Sequence, residues 1–154
     1  MIIVVGSDLA GYRLKKHCIG FIESLGHEVI DIGCKDEHDD MVFPDIARAM
    51  APYITEGKAD RGIAFCGTGV GISVALNKFP GVRASVVHDI QTAHQAVEHD
   101  DVQVMCIGEK IVGEWLAEDL IPAFLEAKFN TGERFQRMVE MLCEIDGSEF
   151  KKYE

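Results

Sequence analysis

The stretch Arg61–Ser73, RGIAFCGTGVGIS, decides how this chain is read. Gly62 to Phe65 is a short apolar run of the kind shown by a strand buried on both faces. It stops at Cys66, and glycines then alternate at Gly67, Gly69 and Gly71. The apolar pattern resumes at Val70, Val74 and Leu76 with a spacing that suits a helix. Strand, glycine-rich turn and helix in that order aim several backbone N–H groups at one spot, with the positive end of the helix dipole behind them. The nest formed by Gly67, Gly69, Val70, Gly71 and Ser73 is therefore a candidate substrate site for an anion. Cys66 is expected at its rim, at the carboxyl end of a strand, where open α/β sheets place their ligands. From chemistry alone Cys66 has two readings: a packed structural thiol, or a thiol activated beside a helix N-terminus as base or nucleophile. The dinucleotide fingerprint fails, because its third glycine falls at Ile72, and no Gly-Lys-Ser/Thr follows to make a phosphate loop.

Upstream of this stretch, Ile2–Val5 reads as a first buried strand, ended by Gly6-Ser7-Asp8. Leu14, Cys18, Phe21 and Leu25 give the next segment a helical face, and Gly26 is its stop. His27–Ile32 reads as a second strand. Residues 34–43 form an acidic, solvated connection. A helix from Pro44 to about Thr55 follows, with Pro52 expected to shorten or kink it. Downstream, the glycine-loop helix runs to about Lys78, Pro80-Gly81 turns, and Val82–Val87 is a fourth strand. Asp89 caps a helix to about Glu98, and Val102–Ile107 is a fifth strand. Residues 110–127 are helical by pattern, with Ile111, Trp115, Leu116 and Leu120 expected in the core and Pro122 as a kink. A last helix from about Glu133 carries Phe135, Met138, Val139 and Leu142, and the charged tail Ser148–Glu154 is expected to fray. Alternating strands and helices imply one α/β domain over residues 1–154, a parallel sheet covered on both faces with right-handed crossovers.

The 154 residues suffice for a proper core, and 47% of them are hydrophobic. A net charge of −11 argues against nucleic acid and anionic membrane surfaces. No apolar run approaches a membrane span, and no charged-then-apolar leader precedes a cleavage site. The five cysteines, at 18, 34, 66, 106 and 143, are widely spaced and form no C-x-x-C. That pattern predicts reduced thiols in a cytoplasmic protein, with neither a disulfide framework nor a metal site.

CGTGVGIS, together with GSDLAGYRLK at residues 6–15, HEVIDIG at 27–33 and NKFPGVRA at 77–84, resembles the ribose-5-phosphate isomerase B and galactose-6-phosphate isomerase family. The resemblance runs in order along nearly the whole chain. It implies a Rossmann-like three-layer α/β/α sandwich with a five-stranded parallel sheet of order 2-1-3-5-4. It also implies a homodimer with the C-terminal helices at the interface and active sites shared across it. The implied activity is cofactor-independent aldose–ketose isomerisation of a sugar phosphate through a cis-enediolate.

By that resemblance Cys66 takes the C2 proton, Thr68 relays a proton or bonds a substrate oxygen, and His99 opens the sugar ring. An imidazole exchanges protons reversibly near neutral pH, which suits that step. Asp8, at the end of the first strand, can accept from sugar hydroxyls, and the nest can hold the enediolate as an oxyanion hole does. Ser73 is a helix residue expected to bond backbone as well. The phosphate end departs from the family pattern: Leu9 stands for histidine, Asp100 for asparagine, Lys110 for arginine, Phe43 for tyrosine, and Glu133 with Arg137 for a pair of arginines. Arg134 could replace the missing charge. Asp100 and Glu133 bring negative charge toward a phosphate, at a cost of a few kcal/mol each at ~4–6 Å and an effective dielectric near 20. The expectation is altered phosphate recognition, by Lys110, Arg134 and Arg137 on another phosphosugar, or a non-phosphorylated sugar. A non-catalytic sugar-binding subunit is the remaining alternative. Retention of Cys66, Thr68 and His99 argues against it.

Overall fold

A computed structural model describes residues 1–153 of the chain; Glu154 lies outside the described residues. The strands are β1 (Ile2–Ser7), β2 (Glu28–Asp31), β3 (Arg61–Cys66), β4 (Ala84–Val86) and β5 (Val104–Gly108). They form one parallel sheet in the order β2-β1-β3-β5-β4. The helices are α1 (Tyr12–Ser24), α2 (Phe43–Thr55), α3 (Val70–Leu76), α4 (Ile90–Asp100), α5 (Glu114–Glu126) and α6 (Glu133–Asp146).

Alternate residues of each strand face opposite layers, because side chains along a strand point to alternating sides. Ile3, Val5, Ile63, Phe65, Met105 and Ile107 pack with the buried faces of α1, α4 and α5. Val4, Ala64, Cys66, Val104 and Cys106 pack with α2 and α3. Helix α6 lies outside this frame, against α4, and buries Val139 and Cys143. Strand order reverses between β1 and β3, so the crevice at the carboxyl ends of these two strands is the switch point where such sheets bind ligands.

Several expectations need correction. Helix α1 buries Leu14, Lys15, Cys18 and Ile22, while Phe21 is half-buried and Leu25 exposed. A 3.6-residue period starting from Leu14 and Cys18 reaches Ile22 rather than Phe21. Helix α3 turns Ile72 and Leu76 inward and leaves Val70 and Val74 exposed. Helix α5 starts at Glu114, because the N–H groups of Ile111 and Val112 both turn back to the Gly108 carbonyl. Its core face is then Ala117, Leu120, Ile121, Phe124 and Leu125, and Trp115 is 86% exposed. Pro52 and Pro122 sit inside α2 and α5, each with about one further turn beyond it. Strand β4 is shorter than its apolar run, as an edge strand whose Arg83 N–H is taken by the Gln103 side chain. The tail is tied down rather than frayed: Tyr153 N–H bonds Gln136 Oε1 and its hydroxyl bonds Asp101.

Candidate active site

The carboxyl end of the sheet is assembled from consecutive residues. Strand β3 delivers Cys66, and Gly69 caps α3 with φ 78°, a left-handed value that glycine adopts without strain. A β-carbon on Gly69 would also sit 3.1 Å from the Cys106 carbonyl oxygen. Strand β5 closes the other side: Glu109 N–H bonds the Cys66 carbonyl at 2.9 Å and Lys110 N–H bonds that of Gly67 at 3.0 Å. Gly108 must be glycine for the loop to lie this close, since a β-carbon there would meet Thr68 Cα at 2.6 Å. Thr68 is exposed, and its Oγ1 accepts from Val70 N–H at 3.4 Å. The first-turn N–H groups of Gly71 and Ile72 have no carbonyl within the helix to bond.

Asp8 reaches this loop from the end of β1. Its Oδ2 lies 3.4 Å from Cys66 Sγ and accepts from the thiol, while its buried Oδ1 has no partner among the described residues. A thiol at the rim of an N–H nest, next to a carboxylate with an unused oxygen, can exchange a proton with a carbon acid and hold sugar hydroxyls. The Lys110 side chain lies over Gly67 and brings a cation to the same rim. Ser73 is different: its hydroxyl bonds the Ala84 carbonyl at 3.4 Å, which anchors α3 to β4.

A groove of about 330 Å³ flanks Asp8, lined by Leu9, Ala10, Asp39, Asp40, Met41, Val42 and Phe43. Phe43 packs its ring on Gly71. This side of the site is apolar and acidic, with no cation in its lining.

His99, Asp100, Arg134 and Arg137 are not brought to Cys66 within one chain. Helix α4 starts beyond the carboxyl end of β4 and runs back, so His99 and Asp100 emerge at the amino end of the sheet. The six-residue β3 separates the two ends by roughly 15–20 Å. His99 packs on Phe135 of α6, with ring centroids 4.7 Å apart, against the helix turn whose sequence also carries Glu133, Arg134 and Arg137. Arg137 is paired with Glu140 at 2.6 Å and Glu144 at 2.9 Å. Arg134 is exposed and has no ion-pair partner among the described residues.

Two features of the carboxyl end escaped sequence reasoning. Lys15 is only 1% exposed and bonds both oxygens of Asp31, at 2.8 and 2.9 Å, and the Cys34 carbonyl at 2.5 Å. It fixes the start of the acidic connection beside Asp8. A lysine on a helix face reads as solvated, and nothing in the sequence flags the exception. His88 belongs to no motif, yet its Nε2 accepts from Gly108 N–H at 2.9 Å. Burial lowers its pKa, which favours the neutral ring that this bond requires. Among the described residues no group of three or more His, Cys, Asp or Glu side chains is placed to hold a metal ion. No helix there is long and apolar enough to cross a membrane.

A switch-point crevice that brings together a thiol, a carboxylate and a glycine loop places this chain among open parallel α/β sheet proteins with a candidate ligand site at the carboxyl end. Comparison narrows this. Residues 3–142 match the Ribose/Galactose Isomerase family. Ribose-5-phosphate isomerase B of Escherichia coli (strain K12) is 38% identical over 145 residues, covering 94% of this chain and 95% of its own. D-erythrulose-4-phosphate isomerase of Pectobacterium atrosepticum is 35% identical over 130 residues, covering 84% of this chain and 86% of its own. The solved ribose-5-phosphate isomerase B of Clostridium thermocellum superposes with a TM-score of 0.91 at 39% identity, covering 96% of this chain and 98% of that one. The chain belongs to the Ribose/Galactose Isomerase family.

Proposed function

We propose that this protein is a cofactor-independent aldose–ketose isomerase of sugar phosphates of the ribose 5-phosphate type. The observation that carries the reading is the convergence of Cys66 and Asp8, at 3.4 Å, on the glycine loop at the switch point. Cys66 removes the C2 proton of the open-chain aldose. The enediolate oxygens face the N–H groups of the loop, which stabilise developing charge without reorganising. Cys66 returns the carbon proton to C1 while Thr68 relays the hydroxyl proton from O2 to O1, which gives the ketose. Asp8 and Lys110 hold the substrate on this side.

His99 opens the ring, and the separation of His99 from Cys66 supports a homodimer in which each chain lends His99, Asp100, Arg134 and Arg137 to its partner's crevice. The exposed Met141, Leu142 and Ile145 of α6 suit burial in such a contact. Five free, buried cysteines agree with a reducing, cytoplasmic setting.

A second reading keeps the chemistry and changes the sugar. Leu9, Val42 and Phe43 with Asp39 and Asp40 make a poor phosphate site beside Asp8, and Arg137 is engaged by two glutamates. The phosphate must then rest on Lys110 and Arg134, at another distance from the reacting carbons. Turnover of ribose 5-phosphate, allose 6-phosphate, galactose 6-phosphate, erythrose 4-phosphate and the free sugars decides between the two. Preference for ribose 5-phosphate supports the first reading, preference for another member the second, and no turnover of any overturns both.

A further inference from the structure

The turn that carries His99 and Asp100 is held by a side-chain clip. Asp101, the C-cap of α4, is the one non-glycine residue with positive φ among those described (φ 48°, ψ 44°). An aspartate adopts that region at a cost, and surrounding contacts must hold it there. Its Oδ2 accepts from Arg83 Nη2 and from the Tyr153 hydroxyl, each at 2.7 Å. Arg83 Nε donates to the carbonyls of Asp100 at 3.1 Å and Asp101 at 3.0 Å. The Arg83 and Asp101 side chains are 15% and 16% exposed. Tyr153 packs on Phe129, with centroids 5.1 Å apart. Burial, reinforced by Asp101, pushes the Tyr153 phenol up to about 12, so it remains a donor at neutral pH. The clip lies at the amino end of the sheet, remote from Cys66, and its bonds converge on the two residues that follow His99.

We propose that Tyr153, acting through Asp101, is a positioning residue that sets His99 for ring opening; this rests on the role given to His99 above. In that step the imidazolium donates a proton to the ring oxygen as the bond from C1 to that oxygen breaks. The anomeric hydroxyl gives its proton to solvent water and becomes the C1 carbonyl. Proton transfer of this kind needs heavy atoms within about 3 Å, so a small displacement of His99 slows it. The C2 proton transfer at Cys66 is unaffected.

The test uses Y153F, D101N and H99N in the full chain with two substrates. Asparagine tolerates the left-handed region, so D101N keeps the backbone while weakening the clip. Ribose 5-phosphate is a closed furanose that must open. Erythrose 4-phosphate carries its phosphate on O4 and has no hydroxyl with which to close a furanose. H99N should lose about 100-fold in kcat/KM on ribose 5-phosphate and little on erythrose 4-phosphate. Y153F and D101N should show the same selectivity at about 5- to 20-fold. Equal losses on both sugars, or no loss while H99N remains selective, overturn the proposal. A non-selective H99N overturns the ring-opening role itself, which is a separate result. Where either sugar turns over too slowly, the ¹⁵N resonances of His99 serve instead: Y153F must shift them and their titration, and unchanged spectra overturn the proposal.

Discussion

The two ends of this sheet are built by opposite means. At the carboxyl end the candidate site is mostly backbone, laid down by neighbours in sequence from Cys66 to Gly71 and closed by Gly108. At the amino end it is side chains drawn from far apart: Phe135 against His99, and Arg83 and Tyr153 on Asp101 two residues further on. A backbone nest is rigid because its geometry follows from φ, ψ and close packing. A side-chain cluster is only as fixed as its hydrogen bonds. Damage at the first end should therefore be abrupt, and at the second graded.

The largest effect tests the chemistry itself. C66A should lower kcat by about 1,000-fold or more with the fold intact, since a missing general base costs up to four orders of magnitude. Near-normal turnover would remove Cys66 as the base. K15M probes a buried side-chain anchor at the carboxyl end. Leaving Asp31 without its main partner should cost about 3 kcal/mol, read by urea unfolding, with a weaker KM because the acidic connection loosens. A loss under about 1 kcal/mol would place that pair with ordinary surface ion pairs.

G108A asks how rigid the nest is. Its β-carbon would press on Thr68 Cα at 2.6 Å, so the loop must shift, and kcat should fall about 10- to 100-fold with KM little changed. Unaltered kcat would show that the loop yields as freely as the amino-end cluster. The smallest effect is a pH dependence. The pKa of His88 is lowered in the folded protein, so the unfolded chain binds more protons on acidification. Its contribution to stability should be whole above pH ~6.5 and shrink as pH falls below that toward the folded value. H88Q, whose side-chain oxygen can accept from Gly108, should flatten that part of a stability profile measured between neutral and mildly acidic pH. An identical profile would break the assignment.

What the sequence by itself determined is the part governed by local pattern. The run into Cys66 and the glycine alternation specified strand, turn and helix, because period and glycine content act over a few residues. Alternating elements specified a parallel sheet with two covered faces, and the family resemblance supplied the order 2-1-3-5-4 that the sheet has. The depth of each helical face was less legible: Trp115 reads as core and is exposed, while Lys15 reads as solvated and is buried. Burial depends on what stands opposite a helix, and the sequence does not print that. Asp8 could be set near the glycine loop from its place at the end of the first strand, whereas its 3.4 Å approach to Cys66 is a feature of the tertiary structure. His99, Arg134 and Arg137 were legible as residue types but not as a place. Only the tertiary structure puts them at the far end of the sheet from Cys66, because a helix returning along a parallel strand carries its C-terminus back to where that strand began.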